Sequence, residues 1–306
     1  MEVLSILLDL RFRRYAYRIP AKEMWYSFKF YHSIESLIML LYNKVKDFLM
    51  IGKVLFMRLT QNFQYIRSME ILHDKIKNKN KYPFCLPAVK VLSKLDFHPR
   101  VTFIIGENGA GKSTLLEAIA VAYGFNPEGG TKNFNFSSWA SHSELHSFLK
   151  LVKGITKPKD GFFLRAESFY NLASTIEELD KQKGGKPIIN SYGGRSLHEQ
   201  SHGESFFAVF INRFGGQGLY ILDEPEAALS PSRQMAMITR MHQLVEQGSQ
   251  FIISTHSPIL MAYPDAWIYQ FQDRLEKVHY EETEHYEVTK AFLNNPQKML
   301  DILMEE

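Results

Sequence analysis

From about residue 63 onward, short apolar runs alternate with longer stretches of helical periodicity. The runs "VTFII" (101–105), "GFFLRAESF" (161–169), "GLYILDE" (218–224), "QFIIST" (250–255) and "AWIYQFQ" (266–272) predict strands, as does "FQYIRSMEIL" (63–72). Between them "KSTLLEAIAVAYGF" (112–125), "FFAVFINRF" (206–214) and "SPSRQMAMITRMHQLVEQG" (230–248) predict helices. Strands alternating with helices of this length imply an α/β fold whose largely parallel sheet is covered on both faces. Two polar, glycine-bearing stretches, 126–138 and 181–196, read as loops.

Residues 1–60 are different. Ile34, Leu37, Ile38, Leu41, Val45, Phe48 and Leu49 recur at helical spacing, while Lys44, Lys46 and Asp47 interrupt the apolar face. This segment holds ten Lys/Arg against five Asp/Glu, so it reads as a basic amphipathic extension ahead of a domain at 61–306. A surface-lying helix, a docking helix and a start placed too far upstream all fit, with Met50, Met57 and Met69 as alternative starts.

Composition narrows the class. Of the 306 residues 45% are apolar and 23% charged, as in ordinary globular proteins, and the net charge of +3 is too small to argue for nucleic acid. A lone cysteine, Cys85, excludes an internal disulfide and a cysteine-rich zinc site. No apolar run reaches the ~18 residues of a membrane span, and the arginines near the start follow rather than precede the first apolar patch. A cytoplasmic protein without membrane insertion is expected.

The strongest chemical signal is "GENGAGKST", made of Gly106, Glu107, Asn108, Gly109, Ala110, Gly111, Lys112, Ser113 and Thr114. It fits G-x-x-x-x-G-K-[ST] in full, after a strand and before a helix, the setting in which backbone N–H groups cradle phosphates. Lys112 would reach the β- and γ-phosphates, and the Ser113 hydroxyl would ligate Mg²⁺. At the end of "LYILDE", Asp223 is placed to hold the same metal and Glu224 to act as general base. One strand later, in "IISTHSP", His256 is placed to contact a γ-phosphate. No N-K-x-D motif follows the loop, so adenine is preferred over guanine and ATP is the expected nucleotide.

Weaker signals carry blander readings. His142 and His146 lie four apart without a third ligand and read as an exposed helix face, as do Glu281, Glu282 and His285. Tyr82 or Phe84 could stack on a base, although a core or surface aromatic is the better account of each.

With the phosphate loop, "LDEP" and "STHSP" in this order, the chain resembles the ABC-type ATPases. The wording of "FHPRVTFIIGENGAGKSTLLEAIAVAYGFN", "YGGRSLHEQSHGES", "LYILDEPEAALSP" and "YEETEHYEVTKAFLNNPQKML" resembles a bacterial stand-alone group of these ATPases, SMC- and RecF-like heads without a coiled coil. The likeness covers about residues 65–306. It implies that "SHGES" is a divergent signature, in which Ser201, Gly203 and Glu204 contact a γ-phosphate presented by a second copy. It implies an ATP-dependent homodimer, with a DNA or protein partner in maintenance or defence, or else the nucleotide-binding subunit of a transporter. Two positions depart from the family: the Q-loop glutamine has no clear match, with Glu167 or Ser168 nearest, and Ser230 stands at the D-loop aspartate position.

Overall fold

The computed structural model describes residues 64–131, 143–165, 169–181, 187–272 and 274–304, together with Lys44. The chain divides between Leu59 and Thr60, and the architecture below belongs to the second unit. The expected amphipathic helix of residues 34–49 lies outside the described residues except for Lys44, which is helical and exposed.

In chain order the elements begin with β1 (Ile66–Ile71), α1 (Pro87–Val91), β2 (Lys94–Asp96), β3 (Val101–Gly106) and α2 (Lys112–Tyr123). They continue with β4 (Leu149–Lys153), β5 (Asp160–Arg165), α3 (Phe169–Lys181), α4 (His202–Asn212) and β6 (Gly218–Asp223). The remainder is α5 (Pro231–Glu246), β7 (Gln250–Ser254), α6 (Pro258–Met261), β8 (Trp267–Phe271), β9 (Leu275–Val278), α7 (Glu284–Asn294) and α8 (Pro296–Met304).

The main sheet has the order β5-β6-β7-β3-β8-β9 and is parallel except for the antiparallel edge strand β9. Every residue of β3, β6 and β7 is buried, as a sheet covered on both faces requires. Successive side chains then feed different cores. Phe103, Phe162, Tyr220, Leu222 and Ile253 point into one, with Phe210 of α4 and Met237 of α5. Ile104, Phe163, Leu219, Ile221 and Ile252 point into the other, with Leu115, Leu116 and Ile119 of α2.

The second core is closed by a sheet that sequence periodicity did not predict as such, the antiparallel β2-β1-β4. Two further boundaries differ from expectation. The strand expected over 161–169 stops at Arg165, and Phe169 already belongs to α3. The helix expected at 206 opens at His202, because Ser201 and Glu204 form a capping box there.

One buried side chain stitches the two sheets together. Gln250, the first residue of β7, is fully buried. Its Oε1 accepts from the Tyr65 and Ile66 amides, both at 2.9 Å, and its Nε2 donates to the carbonyls of Ile66 at 2.8 Å and His98 at 3.0 Å. Gln250→Leu would strip this partner from four backbone groups. We expect a loss of about 3 kcal/mol or more in unfolding free energy, read from urea denaturation, since each stranded buried group costs about 1–3 kcal/mol. A loss under about 1 kcal/mol would show that the small sheet docks without this residue.

Candidate active site

The carboxyl ends of β6, β7 and β3 lie side by side, with Asp223 in register with Ser254 and Ser254 with Ile104. Open parallel sheets collect ligands at this end. The phosphate loop leaves β3 through Gly106, at φ 148°, where an added Cβ would sit 2.7 Å from the Phe271 carbonyl oxygen of the neighbouring strand. Only glycine lets the loop turn so close to β8. The loop then folds over the Lys112 side chain. Only 4% of Lys112 is exposed, and its ammonium donates to the carbonyls of Gly106 at 2.8 Å and Glu107 at 2.9 Å. Burial pulls the Lys112 pKa down, and the carboxylates of Glu224, Asp223 and Glu226 pull it back up.

Asp223 ends β6 almost fully buried. Burial pushes its carboxyl upward, opposed by hydrogen bonds from the Ser254 and Ser113 hydroxyls and by the Arg165 guanidinium, whose Nε lies 4.0 Å from Oδ2. Ser113 and Asp223 thus meet, as the sequence reading expected. Their oxygens suit Mg²⁺, which takes one or two protein ligands and completes its shell with phosphate and water. Among the described residues no group of three or more His, Cys, Asp or Glu could hold a metal by itself.

Glu224 leaves the strand in a left-handed conformation, φ 48° and ψ 54°, which is uncommon for a residue with a Cβ. Its amide is held by the Ser254 carbonyl at 3.1 Å. Its Oε1 faces His256 Nε2 at 3.6 Å. The His256 amide donates to Glu226 Oε1, and its ring Nδ1 hydrogen-bonds His285 Nε2 at 3.0 Å. Burial, and then the charge of Lys112, hold the His256 pKa below the usual imidazole value. Lys112, Ser113, Asp223, Glu224 and His256 therefore share one site.

Ser201, Gly203 and Glu204 occupy a different neighbourhood. Glu204 Oε2 accepts from the Ser201 amide at 3.1 Å and hydroxyl at 2.8 Å, and its Oε1 lies 3.6 Å from Arg233. A Cβ on Gly203 would fall 2.3 Å from the Ala228 carbonyl oxygen, so glycine lets the start of α4 press against the segment after β6. Beside them lies an open hollow of about 320 Å³ that includes Arg195, Gln200 and Arg233. The contacts of these three residues lead to Ala228 and Arg233, and none among the described residues leads to the phosphate loop.

A family described as an AAA domain matches residues 75–203. An ABC transporter G family member of Medicago truncatula is 27% identical over 172 residues, 52% of this chain and 24% of that protein. An ABC transporter ATP-binding protein of Haemophilus influenzae is 26% identical over 54% of this chain and 66% of its own length. Over these stretches the chain is similar to ABC-type ATP-binding proteins. It spans only part of each of these relatives. A solved nucleotide-free ATP-binding cassette from an ABC transporter aligns at TM-score 0.40 and 17% identity, over 79% of this chain and all of that one.

Three features of the site escaped the sequence reading. Arg165, at the strand end where a Q-loop residue was sought, pairs with Glu117 of α2 at 2.7 Å and faces Asp223. Glu167 and Ser168 lie outside the described residues. Glu226 reaches the His256 backbone, and His285 reaches its ring. Neither pairing has a sequence signal, because about thirty residues separate the partners. Among the weak signals, Phe84 is buried edge-on against Phe148, whereas Tyr82 is exposed and its hydroxyl lies 3.5 Å from Thr114 Oγ1. His142 lies outside the described residues. His146 sits in a five-residue 3₁₀ turn rather than on an α-helical face, and its Nδ1 hydrogen-bonds the Ser143 carbonyl.

The loop predicts an ordering of glycine substitutions. Gly106→Ala combines a left-handed backbone with a clash against β8, whereas a methyl added to Gly109, at φ 81°, would meet nothing within 4 Å. Gly109→Ala should cost about 1–2 kcal/mol and Gly106→Ala distinctly more, measured by thermal unfolding. Equal losses would contradict the close approach.

Proposed function

We propose that this ATPase binds ATP with Mg²⁺ and hydrolyses it, in a cycle where two copies close head to tail over two nucleotides. The carrying observation is the convergence of Lys112, the Ser113–Asp223 hydrogen bond, Glu224 and His256 at three adjacent strand ends. Gly106 to Thr114 would cradle the phosphates, and Lys112 would exchange its two carbonyl contacts for β- and γ-phosphate oxygens. Mg²⁺, when bound, offsets phosphate charge, with Ser113 and Asp223 as its protein ligands. As the attacking water bonds to the γ-phosphorus, Glu224 takes its proton and the bond to the bridging oxygen breaks, leaving ADP and phosphate. His256 contacts the γ-phosphate, and exposed Tyr82 beside Thr114 offers adenine a face.

Ser201, Gly203 and Glu204 would meet the γ-phosphate held by the other copy, because their own contacts point away from their own loop. The hollow with Arg195 and Arg233 beside them suits an anionic ligand. We infer an N-terminal basic extension of residues 1–60 and an ATPase domain of residues 61–306, working in the cytoplasm. Two readings differ in what the cycle drives. In one the partner is DNA or a DNA-bound protein; in the other it is a membrane permease, a reading favoured by the transporter names of both curated relatives. No helix among the described residues is long and apolar enough to cross a membrane, so a permease would be a separate chain or lie outside them.

Replacing Glu224 by Gln keeps shape and hydrogen bonding but removes the base. Steady-state turnover of ATP should fall ~10²-fold or more while ATP affinity stays within a few-fold. Wild-type turnover in the variant would overturn the assignment of the base. DNA binding that rises with ATP and falls steeply with salt would favour the first partner, and co-purification with a membrane protein the second.

A further inference from the structure

The C-terminal helices contribute one side chain to the site. His285, in the first turn of α7, hydrogen-bonds His256 Nδ1 through its Nε2 at 3.0 Å, the two ring centroids standing 5.2 Å apart. Its placement is fixed by Thr283, a fully buried N-cap whose hydroxyl accepts from the Tyr286 amide and donates to the Tyr280 carbonyl at 2.7 Å. The charged groups that bear on the pair are Lys112 on both rings, Glu224 on His256 and Glu284 on His285. Burial holds both imidazoles below their usual pKa, so near neutral pH each carries one proton.

Two neutral imidazoles joined by one hydrogen bond have two arrangements. In the first, His285 Nε2–H donates to His256 Nδ1, and His256 carries its own proton on Nε2. In the second, His256 Nδ1–H donates to His285 Nε2, and His285 carries its proton on Nδ1. The surroundings separate them. His285 Nδ1 and His256 Nε2 are both buried without a hydrogen-bond partner among the described residues. The second arrangement strands an N–H at His285 Nδ1 and turns a lone pair of His256 towards the Glu224 carboxylate 3.6 Å away. The first places the unpaired N–H on His256 instead, facing that carboxylate, whose negative charge favours a donor over a lone pair, and leaves His285 Nδ1 with only a lone pair.

We propose that His285 is a positioning residue, which donates Nε2–H to His256 Nδ1 and so holds His256 as the Nε2–H tautomer, ready to donate to a γ-phosphate. The inference deepens the proposed function and rests on it for the role of His256, though the tautomer itself can be observed without nucleotide. It makes α7 part of the site. An imidazole freed from this partner could also rest as the Nδ1–H form, which presents a lone pair to phosphate.

The test uses the full chain labelled with ¹⁵N-histidine, the His256 signals being assigned by their loss in His256→Gln. Without nucleotide, wild type should show a protonated Nε2 and an unprotonated Nδ1 for His256. His285→Ala should mix the two tautomers, and His285→Gln, which retains a donor near the Nε2 position, should restore the wild-type pattern. Nucleotide affinities supply the second readout. His285→Ala should weaken ATP about tenfold and ADP hardly at all, with His285→Gln within about twofold of wild type, since a hydrogen bond to a charged phosphate is at stake. A wild-type spectrum with His256 protonated on Nδ1 overturns the proposal whatever the variants do. So does an unchanged ATP-to-ADP affinity ratio in a folded His285→Ala protein. If wild type binds no ATP, the functional reading fails, and the spectrum still decides the role of His285.

Discussion

The Lys112 ammonium lies under its own loop, donating to two of that loop's carbonyls, with Asp223, Glu224 and Glu226 supplying the opposing charge. A buried cation is tolerable only with such compensation, and each compensating carboxylate then needs support of its own. Asp223 draws hydroxyls from Ser113 and Ser254 and faces Arg165, which is anchored by Glu117. Glu226 is engaged by the His256 amide. The site is thus an interlocked set of charges whose members come from α2, β5, β6, β7 and the turns after them.

Such a set can be held only by strand ends that do not shift against one another. The main sheet meets this need by burying its central strands on both faces and dividing alternate residues between two cores. Gln250 extends the same rigidity to the small antiparallel sheet that closes the second core. At the ligand end the backbone departs from regular strand geometry at the glycines of the loop and at the left-handed Glu224. Local strain at such positions aims side chains that regular strands would direct into a core.

Local pattern made much of this legible. The phosphate loop, "LDEP" and "STHSP" each place their key residue within a few positions of a strand end, so short motifs sufficed to bring Lys112, Asp223, Glu224 and His256 to one place. What was hidden depends on distant pairing. The strands "KLD" and "LKLVK" are too short to show a period, yet both pair with β1. Arg165 reads as an ordinary strand terminus until Glu117 and Asp223 are seen beside it. His285, read as part of a polar helix face, touches His256 from twenty-nine residues away. The polar run before α4 was legible as a signature only by resemblance; its physical content is a capping box and a glycine pressed against Ala228.

Ser201, Gly203 and Glu204, which among the described residues have no contact to their own phosphate loop, are proposed to serve a second copy. Light scattering on the full chain carrying Glu224→Gln, with and without ATP and Mg²⁺, addresses this directly. Dimer mass with ATP alone, reverting to monomer when Ser201→Arg is added, is the predicted result. Monomer mass throughout, or an ATP-induced dimer indifferent to Ser201→Arg, would contradict it.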